Sequence, residues 1–314
     1  MRAVILGGTG AIGGATAARL AAGGWSVDVT GRNPTSMPHE LSDAGVRFHR
    51  IERSEVAAIE HLVGGGVDLL VDLLAYRGAQ VRALLPVMAS AGCSVLVSTR
   101  AVYVDADGRH INGAEPPWFR APIGEDNATL APAGDEVDPF SREGYAPSKV
   151  AAEHVALDSG LPVTVIRPSK VHGRWARNAR TRAFVEHMLH GEPTIALTGH
   201  GASIDHLTAA ANTAALIEIV AGAPEQRVLN SADPDTPNAE QIVRRIGERL
   251  GWQGSLDLVD QPTAASAGEH PWQCAHPIVL STIASQRLGY SPLGTALELL
   301  AQEIDWVREQ VGAR

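Results

Sequence analysis

The chain has 314 residues, of which 45% are hydrophobic and 19% charged, and carries a formal net charge of −9. This composition excludes a disordered chain, and no apolar run approaches the ~20 residues that span a bilayer. A net acidic chain lacks the basic surface of a general nucleic-acid binder, so neither nucleic acid nor membrane is an expected partner.

The apolar run Ala3–Leu6 stops at Gly7-Gly8-Thr9-Gly10, too short for the hydrophobic region of a signal peptide. With only two cysteines, Cys93 and Cys274, the expectation is a cytoplasmic protein. Ala3–Leu6, Val27–Thr30, Asp68–Leu74, Ser94–Ser98 and Val163–Arg167 read as strands that are apolar throughout, as strands covered on both faces must be. Helical segments alternate with them at Gly13–Ala22, Ala79–Ala91 and Tyr145–Ser159. The alternation predicts an α/β fold with a Rossmann-type, doubly wound parallel sheet. Residues 105–144, rich in Pro and Gly, read as one long irregular loop. Beyond Pro168 the rhythm changes: a helix runs to His190, Gly191–Gly201 is turn-rich, and Asn212–Ala221 is helical. A strand at Val228–Asn230, a helix at Glu240–Leu250, a strand at Leu256–Val259, a loop to Pro277 and a helix at Thr295–Val311 follow. Residues 1–168 with 203–231 are expected to form the dinucleotide-binding part. Residues 169–202 with 232–314 are expected to form a smaller α/β part for a small-molecule substrate.

The turn Gly7-Gly8-Thr9-Gly10-Ala11-Ile12-Gly13 lies between a strand and a helix. Its glycines let backbone amides approach a pyrophosphate, and the positive end of the helix faces that anion. An acidic residue at the end of the second strand would select NAD; Gly31-Arg32-Asn33 stands there instead. Arg32 suits a 2′-phosphate and Arg53 offers a second cation, so NADP is the expected cofactor, with NAD as the alternative. Tyr145-Ala146-Pro147-Ser148-Lys149 puts a phenol and an ammonium on one helix face. Lysine charge favours the phenolate, and Ser98 and Thr99 at a strand end supply hydroxyls for a substrate oxygen. Together they suit proton transfer coupled to hydride transfer at a secondary alcohol or ketone.

These motifs resemble the extended short-chain dehydrogenase/reductases, also called the NAD-dependent epimerase/dehydratase family. The likeness runs through the glycine turn, Leu73-Leu74-Ala75, Ser98-Thr99, Pro122–Asp126, Tyr145/Lys149, Ile166-Arg167-Pro168 and Leu288–Pro292. It implies that Thr99 is the catalytic hydroxyl with Ser98 beside it, that Tyr145 is the acid–base, and that Lys149 binds the nicotinamide ribose. It also implies cofactor contacts from Glu52, Leu73, Leu74, Ala75, Pro168 and Val171, and a homodimer through the helices at Ala79–Ala91 and Tyr145–Ser159.

Departures from the family pattern bear on the substrate. Arg100-Ala101 replaces the Asp-Glu pair of the dehydratases, removing the acid that protonates a leaving hydroxyl. Asp205 stands where nucleotide-sugar members carry an arginine, and a carboxylate there would repel a diphosphate. Arg100, Lys170, His172, Arg174 and Trp175 are the candidate substrate-binding residues, and the cluster Arg174, Arg177, Arg180, Arg182 offers an anion site over the active-site mouth. No four-ligand spacing supports a metal. An NAD(P)-dependent oxidoreductase is the leading reading, a sugar epimerase the second, and a catalytically silent dinucleotide sensor the third.

Overall fold

The structure is a computed structural model that describes residues 1–260 and 268–312. Strand and helix alternate as β1 (Arg2–Leu6), α1 (Ala11–Ala22), β2 (Ser26–Gly31), α2 (His39–Asp43), β3 (Arg47–Arg50), α3 (Val56–Val63) and β4 (Val67–Asp72). There follow α4 (Gly78–Met88), β5 (Ala91–Val97), α5 (Arg142–Leu157), β6 (Val163–Pro168), β7 (Lys170–His172), α6 (Arg182–Leu189) and β8 (Thr194–Leu197). The chain closes with β9 (Leu207–Ala209), α7 (Ala210–Ala221), β10 (Arg227–Ser231), α8 (Ala239–Leu250), β11 (Ser255–Leu258), α9 (Ile283–Arg287) and α10 (Ala296–Gly312). Residues 261–267 of the expected loop to Pro277, and residues 313–314, lie outside the described residues.

Seven strands pair in the order β10-β6-β5-β4-β1-β2-β3, each neighbouring pair parallel. Strand side chains alternate between the faces, and β1 shows it: Ala3 and Ile5 join one core with α1 and α7, Val4 and Leu6 the other with α3, α4 and α5. Burial on both faces is why the strands carry no polar–apolar alternation. A third core, from α6, α8, α10 and Trp272, holds the second part together, with Trp272 stacked on Phe184 at 5.4 Å. Two short parallel pairs, β7 with β9 and β8 with β11, stand outside the seven-stranded sheet. Strand β8 lies within the segment Gly191–Gly201, expected to be turn-rich. The direction of winding reverses between β1 and β4, which opens a crevice beyond the carboxyl ends of the strands. The glycine turn, Arg32, Leu73–Ala75, Thr99 and Ser169 all emerge at that edge.

Residues 105–141 contain no helix or strand and are pinned at both sides. The Asp105 carboxylate accepts from the amides of Asp107, Arg109 and Trp118 at 2.8–3.0 Å. Ile123 N–H reaches the Val279 carbonyl at 2.8 Å, which ties the loop to the second part.

Candidate active site

The turn after β1 is shaped by close approach. Gly7 takes φ 87, and a β-carbon on Gly13 would lie 2.6 Å from the Gly7 carbonyl oxygen. Leu73 and Leu74 close over the same turn, within 2.9 Å and 2.8 Å of where β-carbons on Gly13 and Gly7 would sit. Gly10 faces open space, and no side chain caps α1, whose first turn begins at Ala11 and Ile12. Free amides at a helix start beside an open glycine suit a pyrophosphate. The residues present therefore fit a dinucleotide.

Arg32, exposed just after β2, lines a recess of about 480 Å³ with Arg50, Glu52 and Glu55. Arg50 was not foreseen; it pairs in register with Gly31, so the β2–β3 ladder sets it beside Arg32. Glu55 turns back to accept the Glu52 amide at 2.6 Å, and the Asn33 side chain caps the next turn through Thr35 N–H. Arg53 does not supply the second cation: it is buried, donating to Asp72 Oδ2 at 2.7 Å and to the Gln80 carbonyl at 2.9 Å.

Thr99 caps the short turn after β5, its Oγ1 accepting from Ala101 N–H at 3.2 Å, with the hydroxyl proton left to donate. Tyr145, one turn into α5, lies beside it. Burial pushes the Tyr145 phenol up, the Thr99 hydroxyl pulls it down, Tyr76 pushes it up again and Arg180 pulls it down; the net direction is up. Ser98, the neighbour expected beside Thr99, is turned away and donates to the buried Glu153 carboxylate, which is also paired with Arg167 at 2.6 Å. Successive residues of an extended strand face opposite sides, so only one of the two hydroxyls reaches the crevice.

Lys149 is buried, its Nζ donating to the Ala75 carbonyl at 2.8 Å and the Val97 carbonyl at 2.7 Å. Burial lowers its pKa to about 8, against the opposing pull of Asp72 and Glu153. The folded chain therefore binds fewer protons at this site than the unfolded chain between pH 8 and 10.5. Stability from Lys149 is lowest below about pH 8 and rises as pH climbs toward 10.5. Wild type should gain on the order of 3 kcal/mol over Lys149→Met across that window, measured as the difference in urea unfolding free energy. A flat difference would place the ammonium in water rather than under the sheet.

Two further groups border the site: Tyr76, which sequence reasoning did not single out, and Arg180, one of the four arginines expected over the active-site mouth. The Tyr76 ring lies 6.3 Å from that of Tyr145, 5.2 Å from exposed Phe140 and 4.9 Å from Lys149 Nζ. Arg180 donates to the Val171 carbonyl at 2.8 Å and bears on Tyr145 and Asp205. Tyr76 directly follows Leu73-Leu74-Ala75, and that adjacency was its one signal.

The substrate candidates separate. Arg100 and Lys170 converge on buried Asp205 and line, with Arg142 and His276, a cavity of about 490 Å³. Burial pushes the Asp205 carboxyl up, but Arg100 and Lys170 overcome this and hold it below the usual range. The expected repulsion of a diphosphate by Asp205 is thus cancelled by two cations. His172 does not line that cavity: it is buried against Asp233, Nε2 to Oδ2 2.9 Å. Arg174 and Trp175 are also not at the mouth; they line a separate groove between α1, α7 and α10, with Arg174 on Glu40 at 2.6 Å. The four arginines form no single cluster. Arg177 reaches Thr9 in the glycine turn and Arg182 pairs with Glu186. Pro168 ends β6 opposite Ser231, and no group of three metal-ligating side chains occurs among the described residues.

A sequence model of the family described as male sterility protein, an NAD-binding family, matches residues 53–219. Solved structures with the same fold cover nearly the whole chain. One is dTDP-glucose 4,6-dehydratase from Bacillus anthracis in complex with NAD, 17% identical, covering 99% of this chain and 98% of that one at TM-score 0.71. UDP-glucose-4-epimerase from Stenotrophomonas maltophila, with NAD and formylated UDP-arabinopyranose, is 15% identical over 100% of both chains at TM-score 0.75. UDP-N-acetylglucosamine 4-epimerase from Methanobrevibacter ruminantium, in complex with UDP-N-acetylmuramic acid, is 16% identical over 98% of both chains at TM-score 0.74. A search of curated proteins finds no match.

Proposed function

The chain belongs to the NAD-binding male sterility protein family, within the extended short-chain dehydrogenase/reductases, and on that premise we propose an NADP-dependent reductase or dehydrogenase acting on a ketone or secondary alcohol. The observation that carries the chemistry is the meeting of the Tyr145 phenol with the Thr99 hydroxyl at the carboxyl end of β5, one helical turn from Lys149. A bound nicotinamide dinucleotide supplies the hydride. Thr99 holds the substrate oxygen through its free proton, and Tyr145 donates the proton that completes the alcohol. Lys149 keeps positive charge under the site, and its remaining N–H is available to a ribose hydroxyl. Tyr76 and Phe140 wall one side with aromatic surface.

Arg32 and Arg50 support NADP. Each guanidinium can pair with a 2′-phosphate through a charge-assisted bond worth ~1.5–3 kcal/mol. Fluorescence titration of nucleotide-free protein should therefore show NADPH binding more tightly than NADH. Arg32→Ala or Arg50→Ala should weaken NADPH by roughly tenfold or more while leaving NADH within about twofold. Equal affinity for the two nucleotides would remove NADP from the proposal.

Sugar epimerisation is the second reading, favoured by the cancelled charge of Asp205 beside the 490 Å³ cavity. An epimerase keeps its nucleotide through purification, and substrate leaves no lasting change in nicotinamide absorbance. The reductase consumes NADPH stoichiometrically with product.

A further inference from the structure

We infer that Arg177 is a cofactor-binding residue, carried across from the second part of the chain to hold the pyrophosphate of the dinucleotide. The inference rests on the dinucleotide reading above. Residues 174–177 lie as a strap over the start of α1, fixed at three points. Arg174 pairs with Glu40 of α2 at 2.6 Å. Trp175, held at φ 63, lays its ring on Gly14, where any β-carbon would collide with it. Arg177 Nη2 then donates to Thr9 Oγ1 at 3.2 Å, inside the glycine turn itself.

Charge separates Arg177 from its neighbours. Arg174 and Arg182 are spent on Glu40 and Glu186, and Arg180 is tethered to the Val171 carbonyl. Arg177 is exposed, and among the described residues it faces only a neutral hydroxyl. The Thr9 it touches directly precedes Gly10, which faces open space, and the uncapped first turn of α1. A doubly charged pyrophosphate in that space would receive helix amides from one side and a planar guanidinium from the other. Because the strap comes from the part carrying Lys170, the cofactor would join the two parts of the chain when it binds.

The test is fluorescence titration of NADH and NADPH into nucleotide-free wild type, Arg177→Gln and Arg177→Lys at low and raised ionic strength. Arg177→Gln should weaken both nucleotides alike, by about tenfold at low salt, with Arg177→Lys between it and wild type. The gap from wild type should narrow as salt rises, because it is a charge effect near the surface. Unchanged affinity overturns the inference. So does a loss confined to NADPH, which would move Arg177 to the 2′-phosphate. A loss independent of salt would make the strap contact merely structural, and overturns it as well. Wild type that binds neither nucleotide is a different result: it would sink the dinucleotide reading itself.

Discussion

Tyr145→Phe is expected to lower kcat by about 10²–10⁴-fold while leaving the dinucleotide Kd within about twofold. The substitution keeps the ring against Tyr76 at 6.3 Å and removes only the phenolic oxygen. Packing is therefore preserved and the proton donor is lost. The direction of the phenol's shift adds a pH signature. Burial and Tyr76 push its pKa up against Thr99 and Arg180, so the group is protonated at neutral pH and ready to act as an acid. Reduction should hold its rate through neutral pH and fall only at alkaline pH, whereas oxidation, which needs the phenolate, should rise with pH. A variant that keeps more than about a tenth of wild-type turnover would show that another group donates the proton.

Glu153→Ala should cost ~3–5 kcal/mol of stability. Glu153 is 1% exposed and Arg167 5%, and the pair is joined by contacts of 2.6 to 3.2 Å. Removing the carboxylate strands a buried guanidinium, which among the described residues retains only the Tyr103 ring at 4.9 Å and the Glu125 carbonyl at 3.4 Å. It also strips Ser98 of its acceptor. Adding Arg167→Met to Glu153→Ala should recover most of the loss, because the uncompensated charge rather than the missing contact dominates the cost. Ser98→Ala, which removes one donor from a carboxylate that keeps Arg167, should cost less, about 1.5–3 kcal/mol. Urea unfolding of the four proteins checks this. A Glu153→Ala loss below about 1 kcal/mol would mean that water reaches Arg167 and relieves its charge.

Local patterns in the sequence read through to the fold because they act over a few residues. An apolar strand, a glycine turn and a helix make one covalent unit, and Tyr145 and Lys149 share a helix face by spacing alone. The short strands β7, β8 and β9 escaped because three or four residues are too few to establish a period of two. The longer cationic side chains were the least legible. Arg50 and Arg53 lie three residues apart, yet strand register sends one to the Arg32 recess and a bend sends the other beneath the sheet to Asp72. Four arginines within nine residues reach four separate partners, Arg182 on its own helix and the other three on different segments, because long side chains reach in several directions. Asp205 carried the opposite implication when read alone, before Arg100 and Lys170 were seen to close on it from distant segments. By itself the sequence determined the parallel sheet, the glycine turn and the placing of Tyr145 and Lys149 on one helix face, because backbone geometry and helical spacing are local. Only the tertiary structure decided which charges face the crevice and which cancel inside the protein, because that depends on partners brought together from far along the chain.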